Sequence, residues 1–488
     1  MDFGNLTDFL GNKKILVTGA TGFIAKILVE KILRIQPNVK KLYLLVRARD
    51  AKTANVRLQD EILGKELFKV LREKLGSNFE SFMSEKISAI AGDTSYDNLG
   101  ITAHELDQMF GEIDIVINVA ATTKFLERYD MALGVNTFGA KNVVNFAKKC
   151  PKIQLLIHVS TAYVCGEKAG LIPEKPLEMG ETLNGVSGLD IDFEKKFAEQ
   201  ILSNLKAQQL PENDIKRTMK DLGLERARKY GWPNTYVFTK AMGEMLVGKL
   251  RGDLPVVILR PTIVCSTLNE PFPGWVEGCR TIDSVAVIYG KGSLNLFPAD
   301  KNSVFDLIPA DMFVNSIIVS MKAHVNQANL TVYQVGSSYR NPVTFQEMHD
   351  LHYNYFAKHP WTNREGNPVK VGKGVVLNNI FIFEIILFLW HYLLQMILFM
   401  VTRMGLSDVQ RTLFNLDKKL KIAMKLVELY KPYLFFKAIF ADTNTERLLI
   451  TARENSLDEN MFNFDSKSIN WKEFFVNVHI PAIVKYLF

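Results

Sequence analysis

Cysteine is scarce in this sequence. Cys150, Cys165, Cys265 and Cys279 are the only four among 488 residues, and no two form a CxxC pair. Such scatter excludes a disulfide framework and a thiolate metal site, and it fits a reducing compartment. No nucleic-acid-binding signature occurs, and the basic residues are spread along the chain, so nucleic acid is not an expected partner. A large charge of one sign is also missing. The formal net charge of +7 is modest, and it suits a polyanionic small ligand or an anionic membrane surface. The opening residues Met1-Asp2-Phe3-Gly4-Asn5 lack a basic stretch followed by an apolar core, and they lack the Arg/Ser-rich look of a transit peptide. The expectation is a chain that starts near Met1 and faces the cytosol. Apolar sequence, by contrast, is plentiful. A hydrophobic content of 48% and an aromatic content of 11%, over a length that suits two cores, exclude wholesale disorder.

The first two-thirds alternate short apolar runs with helical patterns, which points to a mostly parallel α/β sheet wound on both faces. Strands are expected at Ile15–Thr18, Leu42–Val46, Ile87–Ala91, Ile113–Val119, Gln154–Val159 and Pro255–Leu259. Ile24, Ile27, Leu28 and Ile32 recur at helical spacing behind the first strand. A polar, helix-prone insertion at about 167–231 carries Glu194-Lys195-Lys196 and Arg226-Ala227-Arg228-Lys229. It reads either as a solvated helical insertion or as a lid over the substrate. The domain organisation expected is 1–370 for the sheet and its cofactor, and 371–488 for a smaller helical domain. Within the latter, 380–401 is almost continuously apolar, broken by Glu384, His391 and Gln395, and strongly basic helical sequence follows it. About 22 helical residues match a bilayer core of about 30 Å. A single span, however, would put the basic tail opposite the catalytic domain, and Glu384 near the bilayer centre would cost roughly 2.5–3.5 kcal/mol. A hairpin, an in-plane helix or a buried helix of a soluble domain fits better, so membrane contact and a soluble cytoplasmic protein both stay open.

The strongest local signal is Thr18-Gly19-Ala20-Thr21-Gly22-Phe23-Ile24-Ala25, set between a strand and a helix. Gly19 permits the tight turn, and Gly22 lets backbone approach a pyrophosphate at the positive helix end. Gly19, Thr21, Gly22, Phe23 and Ile24 are therefore expected dinucleotide contacts in a doubly wound, Rossmann-type domain. At the end of the second strand, Arg47 and Arg49 stand where an acid would accept from a ribose 2′-hydroxyl; arginine instead suits a 2′-phosphate, hence NADPH over NADH. Asp93 ends the third strand and is placed to accept from the adenine amino group. Asn118 and Ala120 end the fourth, where small residues let the loop lie against the cofactor. Strand five runs into Ser160-Thr161, hydroxyls at the end of the sheet where ligands bind. Far downstream, Tyr236 and Lys240 are four apart in a helical stretch and share one face. A close cation favours the phenolate and moves tyrosine toward useful acid/base strength, and Lys240 can also bond the nicotinamide ribose. His158, inside a strand, is read as packed, and Cys165 as structural.

Taken in order, these motifs resemble an extended short-chain dehydrogenase/reductase. More narrowly they are similar to the alcohol-forming fatty acyl-CoA reductases of plant type. The narrower likeness rests on Gly231-Trp232-Pro233-Asn234-Thr235-Tyr236-Val237-Phe238-Thr239-Lys240-Ala241, Arg260-Pro261-Thr262-Ile263-Val264, Glu270-Pro271-Phe272-Pro273-Gly274-Trp275 and Asp306-Leu307-Ile308-Pro309-Ala310-Asp311. Tyr333–Ser338 and Lys431–Phe436 carry it toward the carboxyl terminus. The resemblance implies Tyr236 and Lys240 as catalytic residues, Thr161 as the catalytic hydroxyl with Ser160 as fallback, and Pro261 and Thr262 near the nicotinamide. It also implies NADPH as cofactor, a long-chain acyl-CoA as substrate, a primary alcohol as product, and the cytosolic face of the endoplasmic reticulum as the location. Ala25 in place of a third glycine, and Gln334 where the family often has His, are its mild departures. Two other activities fit the same equipment: reduction that stops at the aldehyde, and an extended-type reductase or epimerase acting on another substrate.

Overall fold

A computed structural model describes residues 6–279, 281–292, 296–363, 365–455 and 457–488. The residues Met1–Asn5, on which the leader reading rests, lie outside them. Seven strands form the main sheet: β1 (Lys14–Thr18), β2 (Lys41–Val46), β3 (Ile87–Ala91), β4 (Ile115–Asn118), β5 (Leu155–Val159), β6 (Val256–Pro261) and β7 (Leu330–Val335). Every neighbouring pair is parallel, in the order β3-β2-β1-β4-β5-β6-β7. The chain reverses its direction of travel across the sheet between β1 and β4, and the crevice at that reversal is where such sheets bind ligands. The expected doubly wound sheet is thus present, with one strand more than the six expected. The seventh was hidden by Gln334, a polar residue one position before its end. That side chain is fully buried because its Nε2 donates to the carbonyls of Ile172 at 2.9 Å and Ala441 at 2.7 Å.

Register puts Thr18 opposite Asn118, and Asn118 opposite His158. Three polar side chains therefore form one row across β1, β4 and β5, near the carboxyl ends of the strands. Beneath that row the sheet is apolar, as a sheet covered on both faces must be. Leu16, Val116, Leu156 and Val256 pack in one core cluster. The helices that matter for the site are α1 (Phe23–Ile35), α2 (Ile191–Ala207), α3 (Glu212–Lys229) and α4 (Thr235–Leu250).

The insertion forms α2 and α3, as its pattern predicts, yet two of its charges are not solvated. Glu194 is buried and paired with the buried Arg226, whose Nε donates to it at 2.9 Å, and Tyr129 Oη donates to the same carboxylate at 2.6 Å. The reading of Glu194 and Arg226 as surface charge is corrected accordingly. Each charge has a partner that offsets its desolvation, which sequence spacing of 32 residues does not reveal. Ile215, Met219 and Ala227 of α3 share a core with Val237, Phe238, Ala241 and Met242 of α4.

By compactness the chain forms two units. One runs to Gly278 and adds Asp306–Asn341 and Ile439–Leu487; the other comprises Cys279–Phe305, Pro342–Ala438 and Phe488. The division does not follow a single cut at 370/371, because the segment after Ile439 belongs with the sheet. Arg340 there bonds Asp442 at 2.7 Å, both buried. Asn341 Nδ2 donates to the carbonyls of Ser466 at 2.7 Å and Ile469 at 2.8 Å.

The second unit holds α5 (Ile380–Arg403) and α6 (Ser407–Leu434), packed together as a hairpin. By length and composition α5 is long and apolar enough to cross a membrane. Only 11% of its most apolar window is buried, so the buried-helix reading is corrected. Phe381, Phe388, Tyr392 and Phe399, on one face by helical spacing, are exposed. Its polar residues, in contrast, meet α6. Glu384 accepts from Lys431 at 2.7 Å, Gln395 donates to Asp417 at 2.7 Å, and His391 lies 3.0 Å from Asp417.

Candidate active site

Gly19 adopts φ +66°, a left-handed conformation that favours glycine. A Cβ there would lie 2.7 Å from the Ala120 backbone, so the turn can approach the end of β4 only without a side chain. Gly22 caps α1, and its N–H donates to the Gly19 carbonyl at 2.8 Å. Thr21, Phe23 and Ile24 follow the same turn into the first helical residues, where the helix dipole favours an anion. Thr18 Oγ1 ties this turn to β4, donating to Asn118 Oδ1 at 2.6 Å and accepting from the Ala120 N–H at 3.2 Å. Asn118 Nδ2 donates in turn to His158 Nδ1 at 3.0 Å. Burial, aided by the nearby Lys240 cation, pushes the His158 pKa well below its ordinary value. The ring is therefore neutral, and it is packed as expected: it orients Asn118.

The helix α4, which carries Tyr236 and Lys240, starts at an Asn234 cap, whose side chain accepts from the Val237 N–H at 3.1 Å. One turn in, Lys240 is buried, and its Nζ donates to the Val159 carbonyl at 2.7 Å. That bond sets the helix against the carboxyl end of β5, where Ser160 and Thr161 follow. Thr161 Oγ1 accepts from the Tyr163 N–H at 3.4 Å. Among the described residues Ser160 Oγ is buried without a bonding partner, an orphaned polar atom that a bound group would satisfy. Tyr236 is half-buried at the start of α4 and stacks on Phe125, centroids 6.0 Å apart, in the loop that follows β4. Burial lowers the Lys240 pKa to about 8, against the opposing pull of Glu244. Glu244 itself is buried and bonded to Arg260 Nε at 3.0 Å. That pair fastens α4 to β6 just before Pro261 and Thr262. Thr262 is buried and bonds the β7 end through its N–H to the Val335 carbonyl at 3.1 Å.

Two family models, both described as male sterility protein, match residues 17–317 and 387–488; the first is an NAD-binding one. The alcohol-forming fatty acyl-CoA reductase of Simmondsia chinensis is 51% identical over 489 residues, spanning 100% of this chain and 99% of its own. Fatty acyl-CoA reductase 1 of Arabidopsis thaliana is 53% identical over 487 residues, covering 99% of each. The chain belongs to the fatty acyl-CoA reductase family. Among solved structures, the reductase domain of a non-ribosomal peptide synthetase from Mycobacterium tuberculosis superposes with a TM-score of 0.58 at 17% identity, covering 97% of this chain and 91% of that one. That likeness establishes the fold.

Within this fatty acyl-CoA reductase the remaining expected cofactor residues are dispersed along the sheet edge. Arg47 and Arg49 are both exposed beyond β2, and Arg49 Nε lies 3.2 Å from Asp50. Asp93 is half-buried, and its Oδ1 accepts from the Ser95 N–H at 2.9 Å and the Ser95 hydroxyl at 2.7 Å. The structure thus gathers the Gly19 turn, Asn118, Ser160, Thr161 and Lys240 along one edge of the sheet.

Sequence reading missed Asn136. It is buried, donates through Nδ2 to the Thr122 carbonyl at 3.1 Å and to Thr239 Oγ1 at 3.0 Å, and accepts from the Thr122 N–H at 2.9 Å. One amide therefore holds the loop after β4 to α4. It sits in a π-helical turn, Leu133–Phe138, against Gly243, where a Cβ would lie 2.3 Å from the Asn136 carbonyl. Phe125, against the phenol, was missed as well. The one available signal was a polar Asn136-Thr137 pair in an otherwise apolar helical stretch.

Proposed function

We propose that this chain reduces a long-chain fatty acyl-CoA to the primary fatty alcohol with NADPH, releasing CoA and holding the aldehyde between the two reductions. The observation that carries the reading is the buried Lys240, bonded to the end of β5 and one helical turn from Tyr236, in a chain about half identical to alcohol-forming relatives along its whole length. NADPH, when bound, supplies hydride to the carbonyl. The Gly19 turn and Asn118 fit its dinucleotide, and Arg47 and Arg49 fit a 2′-phosphate as a planar, charged fork does. Lys240 keeps a positive charge a helical turn from the phenol. Tyr236 then holds a proton at Oη for the oxyanion that develops on the substrate carbonyl, with Thr161 as second donor. In the first reduction the thioester C–S bond breaks and CoA leaves as the thiol; in the second the aldehyde oxygen takes the proton. Purified full-length protein given palmitoyl- or stearoyl-CoA should oxidise about two NADPH per CoA released and yield fatty alcohol by chromatography. One NADPH per CoA with free aldehyde would contradict the second reduction, and turnover of a UDP-sugar instead would contradict the substrate class.

We infer in addition that the enzyme works at the cytosolic face of the endoplasmic reticulum, with the α5–α6 hairpin lying in the interface of the bilayer. Support comes from the exposed apolar face of α5 and from the pairing of Glu384 with Lys431, which removes the charge that weighed against membrane contact. Lys418, Lys421 and Lys425 on α6 are exposed and suit anionic headgroups.

A further inference from the structure

The insertion carries a second feature that catalysis has not used. Leu126, Asn213, Lys216, Arg217, Lys220 and Asp221 line an open groove of about 250 Å³ on α3. Three cations face one carboxylate there. Arg217 shares its charge with Asp214 at 3.0 Å, and on the neighbouring loop Lys124 and Glu127 pair at 3.3 Å, with Glu127 also within electrostatic reach of Lys220. Neither Lys216 nor Lys220 holds a salt bridge among the described residues. Lys216 and Lys220 are four apart and share one helix face, Arg217 stands three before Lys220, and all three border the same groove. At about 250 Å³ the open groove is below the roughly 300–1,000 Å³ of sites that enclose a whole ligand, so it suits one phosphate-bearing end of a larger molecule.

Its position ties it to the reaction. Leu126 of the groove adjoins Phe125, the ring stacked on Tyr236. Farther along α3, Gly223 meets the start of the catalytic helix so closely that a Cβ would lie 2.7 Å from Thr235 Oγ1, one residue before Tyr236. From Gly223 back to Lys216 is seven residues, roughly 10 Å of helix. The dinucleotide turn, in contrast, belongs to β1, and Arg47 follows β2.

We propose that this groove binds the phosphate-bearing nucleotide end of the acyl-CoA, with the pantetheine arm running past Phe125 to bring the thioester to Tyr236. This rests on the acyl-CoA reading above and deepens it. Electrostatic attraction by exposed cations raises capture of a polyanion and weakens as salt rises.

The test compares palmitoyl-CoA with S-palmitoyl-pantetheine, which keeps the thioester and lacks the nucleotide. In the full-length double variant Lys216→Gln/Lys220→Gln, the ratio of kcat/KM for palmitoyl-CoA to that for the pantetheine thioester should fall about tenfold, with KM for NADPH holding within about twofold. An unchanged ratio, or an equal loss on both thioesters, overturns the groove. Calorimetric titration of wild-type protein with desulfo-CoA gives a second reading that needs no variant and no turnover. Its Kd should rise about tenfold or more between about 50 and about 300 mM salt, and a salt-independent Kd overturns the proposal. If wild-type protein reduces neither thioester, the acyl-CoA reading fails by itself, and the same titration run with NADPH bound, on wild type beside the double variant, still decides the groove: an equal Kd in the two overturns it.

Discussion

Lys240 is a buried ammonium whose proton is held less tightly than usual, and this has two measurable consequences of opposite sign. Its pKa is lowered to about 8 from 10.5. In the proposed mechanism this cation supports Tyr236, and in the free enzyme it is lost as pH rises through about 8, so kcat/KM for acyl-CoA reduction should fall above that pH. A profile flat to pH 10 would contradict a working charge on Lys240. Stability moves the other way. Between about 8 and 10.5 the unfolded chain binds the proton that the folded one has released, so folding becomes more favourable as pH rises through that window. The Tm advantage of Lys240→Met over wild type should therefore be greatest below pH 8 and shrink toward pH 10. If Tyr236 donates the proton as proposed, replacing it with Phe should drop turnover about 10²- to 10⁴-fold while NADPH binding, read by fluorescence titration, stays within about twofold. Near-normal turnover would refute the assignment. The placement of the glycine turn, the strand-end hydroxyls and the helix bearing Tyr236 and Lys240 was legible because those patterns are local: a strand-turn-helix glycine spacing, a strand end, a phenol and an amine four apart. Asn136 was not. Its role comes from three contacts with Thr122 and Thr239, made by a turn whose π-helical form is not written in propensity.

At the scale of elements, the same division holds. Six strands were visible as apolar runs, because a strand covered on both faces must be apolar throughout. The seventh carries Gln334, tolerable only because Ile172 and Ala441 accept from its amide, and those partners lie 162 and 107 residues away. The α5–α6 hairpin shows a related effect. Composition alone left a spanning, in-plane or buried helix open. The structure turns Glu384, His391 and Gln395 toward α6 and leaves the aromatic stripe outward. Burying a large apolar side chain contributes roughly 1.5–3 kcal/mol, so three of them decide partition between water and lipid. Phe388→Ser, Tyr392→Ser and Phe399→Ser together should move the protein from the vesicle fraction to the unbound fraction in a flotation assay with anionic phospholipid. Unchanged flotation would count against this face as the docking surface.

For the whole molecule, the sheet-bearing unit is assembled from three separated stretches, and the last of them, Ile439–Leu487, packs within it. Asp442 neutralises buried Arg340, Ala441 accepts from buried Gln334, and the Trp471 indole donates to the Asn341 carbonyl at 2.9 Å. A chain cut after residue 370 leaves a buried cation and several buried polar groups unpaired, each at a cost of about 1–3 kcal/mol or more. Expressed alone, 1–370 should be insoluble or should melt without a cooperative transition by circular dichroism. A soluble, cooperatively folded 1–370 that binds NADPH would show that the late segment is dispensable. The sequence by itself determined the parallel sheet, its dinucleotide turn, the paired phenol and amine, and the family, because each follows from periodicity or from short motifs whose atoms are near in the chain. Only the tertiary structure decided which charges are buried, that the carboxyl-terminal stretch joins the sheet-bearing unit, and that Leu126 and the cations of α3 line one groove. Those depend on partners far apart along the chain, and nothing in local spacing encodes who those partners are.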